Sequence, residues 1–140
     1  MALTLGKPRE GGWLPLHHGA ALHMEPATTA MVQLAQARAD ALLADLKEAG
    51  EAVTKAGGHI VDVPDLAEDD VCEGVRRALF IVSLAELGAT DWRNVLDADG
   101  NPLAFDRTLL AMLFTDPLVS QSFVPRYLAG VFAEIEAGNA

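Results

Sequence analysis

One cysteine in 140 residues, Cys72, leaves no disulfide to form within the chain, so packing alone must hold the fold together. The apolar helical pattern around it points to a small buried thiol rather than a reactive one, and its isolation fits a reducing compartment. Cations are also scarce. Ten Lys and Arg stand against twenty Asp and Glu, and the resulting charge of −10 repels phosphate backbones, which excludes nucleic acid as a partner. The longest apolar runs, such as Leu109 to Phe114, fall far short of the ~20 residues that cross a bilayer, and no basic patch followed by an apolar run opens the chain. A membrane role is therefore not expected. There is no phosphate-cradling glycine motif and no glycine elbow around Ser83, Ser120 or Ser122, so neither a nucleotide cofactor nor a serine nucleophile is indicated.

The clusters that could carry chemistry are each better explained by structure. Asp97, Asp99 and Asn101 around Gly100 resemble part of a calcium loop, but the glycine comes two places early and no Glu follows near position twelve, where a bidentate ligand is required. His17, His18 and His23 could converge on a metal only in part, because adjacent residues of a strand point to opposite faces and no cysteine completes the set. Glu68, Asp69, Asp70 and Glu73 are accounted for by a helix start, where carboxylates meet the positive end of the dipole. No metal, no cofactor and no enzymatic activity is expected.

What the chain does contain is the material of one mainly α domain with one or two short β-hairpins, residues 1–12 forming a loose arm. Asp91 to Asp106 (DWRNVLDADGNPLAFD) reads as a hairpin: Trp92, Val95 and Leu96 on one arm, turn residues from Asp97 to Gly100, and Leu103 to Phe105 returning. Pro102 must then lie where no ladder donor is needed. Trp13 to Glu25 reads as a second hairpin split at His-Gly, with Pro15 marking an edge. A helix from about Ala27 to Lys55 carries the stripe Met31, Ala35, Leu42, Leu46, Ala49 and Val53, with a break allowed at Gly50. The run His59 to Val63 is a short strand or an extended connector. Val71, Val75, Leu79 and Val82 continue in a helix ending at Gly88, expected to be the most buried one. Asp106 caps a short helix to Phe114, Asp116-Pro117 opens another, and Pro125 is expected to kink or break it near Phe123 before a last amphipathic segment through Tyr127, Phe132 and Ile135. Gly138-Asn139 would stop that segment.

Short broken helices cover their apolar faces incompletely. Met112, Phe114, Phe123, Tyr127 and Phe132 are therefore the candidate partner-binding residues, lining a groove for an apolar or amphipathic helix.

Trp92-x-x-Val95-x-Asp97-x-Asp99-Gly100-x-Pro102-x-x-Phe105, followed by Leu109 to Leu113, Phe123, Tyr127 and Glu136-x-Gly138-Asn139, resembles the tail assembly chaperones of long-tailed bacteriophages and prophages. The start, Trp13-x-Pro15-Leu16-x-x-Gly19-x-x-Leu22 with Pro26 and Thr28, is similar to that of small phage tail-module proteins. About a third of the chain carries this likeness. It implies a mostly helical, non-enzymatic protein in the host cytoplasm that binds the hydrophobic tape-measure protein, or another tail protein, during tail assembly. On this resemblance Trp92, Asp97, Asp99, Gly100, Pro102 and Phe105 are motif positions that serve folding rather than contact. The sequence also allows a homo-oligomer, a structural or adaptor component of the tail, and a helical regulator that binds a protein target.

Overall fold

The structure, a computed structural model, describes residues 10–57 and 66–133. Expectations for residues 1–9, for the run His59 to Val63 and for Ile135 onward lie outside these. The chain divides into two compact units, residues 1–28 with 88–140 and residues 29–87. As the composition indicates, it is mainly α with a small antiparallel sheet.

In the first unit, β1 (Gly12–Pro15), β2 (Ala21–Met24) and β3 (Ala89–Arg93) form a sheet in the order β1-β2-β3, and all neighbours are antiparallel. The expected Trp13 to Glu25 hairpin is the β1–β2 pair, turned by a 3₁₀ segment His17–Gly19, and Pro15 sits on the edge strand as its missing N–H requires. Strand alternation sorts the two faces. Leu14, Leu22 and Trp92 lie across from one another and are buried, whereas the neighbouring row of Trp13, His23 and Asp91 is more open. On that open side the Arg93 guanidinium stacks on the Trp13 ring at 4.3 Å, and His23 meets the same ring edge-on at 5.1 Å.

The Asp91 to Asp106 hairpin needs correction. Its first arm pairs mainly with β2, and only one bridge, Leu96 to Pro102, joins it to the return arm. Two facts explain this. Asn94 takes a left-handed turn (φ 56°) that carries the chain out of β3, and a ladder cannot run through Pro102. Proline occupies the unbonded position of the bridge, flanked by Asp97 N–H to Asn101 O and Leu103 N–H to Val95 O. The return arm is fastened instead by the side chain of Trp92, whose indole N–H donates to Leu103 O at 2.7 Å and whose ring meets Phe105 edge-on at 5.2 Å. Asp97 Oδ1 accepts from the N–H groups of Asp99 and Asn101, which fixes the turn, and Gly100 closes it at φ 83°.

Asp106 then accepts from Thr108 N–H and caps a 3₁₀ turn, Arg107–Leu109, leading into α3 (Leu110–Leu113). Asp116 caps α4 (Pro117–Ala129), with Pro117 in its first turn. Of the kink or break expected at Pro125, the break does not occur: α4 continues through it as one helix. Pro125 and Gln121, the residue whose carbonyl loses its helical donor, are both exposed, so water can serve that carbonyl. Meanwhile Phe123 and Tyr127, buried on the other side and flanking Pro125, stack at 5.5 Å and join the two halves of the helix. The helix stops earlier than expected, at Gly130, whose left-handed conformation (φ 68°) lets its N–H reach the carbonyls of Arg126 and Tyr127. Phe132 is thus not helical. Beyond Gly130, Ala133 forms a single antiparallel bridge to β1, its N–H donating to Trp13 O.

The second unit holds α1 (Thr29–Lys55) and most of α2 (Asp69–Gly88). Gly50 does not interrupt α1. Its buried residues are Ala35, Ala39 and Leu43, while Leu42, Leu46 and Val53 of the expected stripe are exposed. As expected, α2 is the least exposed of the helices: Val71, Val75, Leu79 and Val82 are half-buried, and Ser83, Leu84, Ala85 and Gly88 are fully buried. Arg76 pairs with Glu73 one turn away and reaches Asp40 of α1 at 3.9 Å.

Trp92→Ala is expected to cost roughly 3–5 kcal/mol, since it removes a core ring and the donor that pins the return arm. Gly100→Val should cost about 1–2 kcal/mol because a branched side chain must adopt the left-handed region there. Denaturant unfolding of both variants checks this; wild-type midpoints would contradict these roles.

Candidate functional site

An aromatic column decides which residues face outward in the C-terminal third. Phe114, at the end of α3, meets Phe123 edge-on at 5.0 Å, and Phe123 stacks on Tyr127. All three are buried, and the Tyr127 hydroxyl donates to Glu25 O at 2.6 Å. Burial, with the charge of Glu25 adding to it, pushes the phenol up to about 12, so it remains a donor at any physiological pH. Phe114, Phe123 and Tyr127 are therefore core residues and offer no surface to a partner. Phe132 is half-buried, its Cβ lying 3.1 Å from where a Cβ on Gly12 would stand. Of the five candidate binding residues only Met112 stands in solvent, 69% exposed.

The surface that the sequence reading missed is the opposite side of α4. Leu118, Gln121, Pro125 and Leu128 follow at helical spacing on one face, all exposed, with Leu118 at 54% and Leu128 at 43%. No charge belongs to this row. The sole charged residue of α4, Arg126, turns away and donates to Pro15 O at 3.0 Å. An uncharged apolar row is unusual on a chain of net charge −10, and the legible signal for it was the lack of Asp, Glu or Lys anywhere from Pro117 to Ala129.

The polar clusters are engaged in structure. His23 Nδ1 lies 2.8 Å from Thr90 Oγ1, and His18 Nε2 lies 2.9 Å from Asp116 Oδ2, so these two rings are held on different partners. Among the described residues no group of three or more His, Cys, Asp or Glu is arranged to hold a metal ion, and no helix is long and apolar enough to cross a membrane. Asp97 spends its Oδ1 on turn N–H groups, Pro102 and Phe105 belong to the return arm, and Asp99 contributes its backbone N–H to the turn.

Comparison of the chain with known protein families, with curated proteins and with solved structures finds no match in any of the three.

Both capping carboxylates are tuned for the helix starts. The Thr108 hydroxyl and N–H hold Asp106 below the usual carboxylate range, and the Leu118 N–H together with His18 does the same for Asp116. A carboxyl with a depressed folded pKa stabilises the fold above its unfolded value, ~3.9, and loses that contribution as pH falls through the folded one. Asp116→Asn should accordingly melt below wild type at neutral pH, with the gap narrowing on acidification below about pH 4. Thermal melts from neutral to acid pH test this, and a gap independent of pH would contradict it.

Proposed function

We propose that this chain is a tail assembly chaperone of a long-tailed bacteriophage or prophage, which holds an apolar segment of the tape-measure protein in the host cytoplasm while the tail is built. The motif from Trp92 to Phe105, with Phe123 and Tyr127 beyond it, supports the family reading. The observation that carries the binding role is the uncharged exposed row Leu118, Gln121, Pro125 and Leu128 on α4. Such a row can take an apolar helix without stripping water from any ion, a cost that would otherwise offset the apolar contact. The surrounding negative charge then keeps the complex soluble and discourages clustering. No residue is assigned a catalytic role.

Co-expression with the tape-measure protein is expected to bring that protein into the soluble fraction. Leu118→Gln together with Leu128→Gln should abolish the effect while leaving the melting temperature within a few degrees, since surface changes are usually worth under about 0.5 kcal/mol. Undiminished solubilisation by the double variant would place the contact elsewhere, and an insoluble tape-measure protein beside the wild-type chain would refute the chaperone reading.

A further inference from the structure

Along α1, Val32, Ala35, Ala39, Leu42, Leu46, Ala49 and Val53 stand at alternating steps of three and four, the spacing of a heptad seam. Burial divides this seam in two. Ala35 and Ala39 are fully buried and Val32 is half-buried, whereas Leu42, Leu46 and Val53 keep 46%, 43% and 36% of their surface and Ala49 is exposed as well. From Ala44 to Gly57 no side chain is buried. That stretch is about as long as the ~12–15 residues at which an isolated helix becomes marginal in water, so a cover for its apolar side would stabilise it.

We propose that the open half of the seam is closed by the same half of a second copy of this chain, with the two α1 helices running antiparallel. Reversal sets Leu42 against Val53 and Leu46 against Ala49, so each small residue faces a larger one. A parallel pair would face Ala49 with Ala49 and leave a gap. The seam's flanks also permit the contact. On one side stand Asp45 and Ala52, on the other Leu43 and Gly50, and reversal places each Asp45 beside Ala52 of the copy rather than beside a like charge. Lys47, Glu48, Glu51 and Lys55 lie off the seam, and opposed helix dipoles add a further favourable term.

The open seam spans about 17 Å of helix, at ~1.5 Å per residue, and so buries less than the roughly 800 Å² per partner of a standard interface. The dimer is therefore weak and reversible. Two copies of charge −10 repel at long range, and salt that screens this repulsion must tighten the pair. This pairing is independent of any client, since it concerns α1 and the purified chain alone.

Sedimentation equilibrium of the full chain from about 10 μM to 1 mM, at low and high sodium chloride, tests it across the range in which such contacts are populated. A monomer–dimer equilibrium that tightens with salt is expected. Leu46→Glu should weaken it at least about tenfold by placing a charge in the seam, and Met112→Glu, also exposed but on α3, should leave it unchanged. Circular dichroism checks that Leu46→Glu folds; should it not, Ala49→Glu gives the same readout at an exposed alanine. A chain that stays monomeric throughout, or a dimer that survives both seam variants, overturns the proposal. So does a monomer whose Leu46→Glu variant loses tape-measure solubilisation, because the seam would then belong to the client. Failure of the client assay with wild-type chain leaves the sedimentation result untouched, and the two readings therefore stand or fall separately.

Discussion

The contact on which the C-terminal third depends is the bond from the buried Tyr127 hydroxyl to the Glu25 carbonyl, at the foot of the column of Phe114, Phe123 and Tyr127. It ties α4 to the end of β2 and fixes the rotation of the helix. With Val119, Phe123 and Tyr127 turned inward, Leu118, Pro125 and Leu128 have no choice but to face solvent. The same column explains why a proline that ought to break α4 is tolerated. Packing on the inner side supplies more than the single hydrogen bond lost on the outer side, at ~0.5–1.5 kcal/mol net, can remove.

A second, smaller anchor governs the loop before α3. Trp92 fills the sheet's inner face between β2 and the return arm, and its indole N–H performs the joining that Pro102 denies to the backbone. Arg107 completes this edge, its guanidinium donating to Ala89 O at 2.9 Å. The motif residues from Trp92 to Phe105 thus form one cooperating turn, each fixing the next, whatever surface the domain presents elsewhere.

Much of this was legible in the chain. Period-two alternation with Pro15 at an edge identified β1 and β2, and the Asp106 and Asp116-Pro117 signals located two helix starts, because caps and edges are decided by neighbours in sequence. What failed was whatever depends on distant partners. Trp92 looked like the arm of a local hairpin, yet β2, some seventy positions earlier by the Leu22–Trp92 pairing, was the better partner. Pro125 read as a kink or a break, and the break failed because burial of Phe123 and Tyr127 on its far side leaves no mark in local sequence. The five C-terminal side chains were judged by type, so the aromatic ones, which have most to gain from burial, were mistaken for contact residues. Gly130 was readable as a stop and was passed over in favour of the apolar residues beyond it.

On this account the partner meets the outer row of α4 and leaves the aromatic column closed. Site-specific photo-cross-linking in the purified complex with the tape-measure protein tests this most directly, using one photoreactive residue at a time. Positions 118 and 128 should capture the tape-measure protein, and position 104, an exposed alanine on the return arm, should not. Capture from position 104 with none from 118 or 128 would contradict the account.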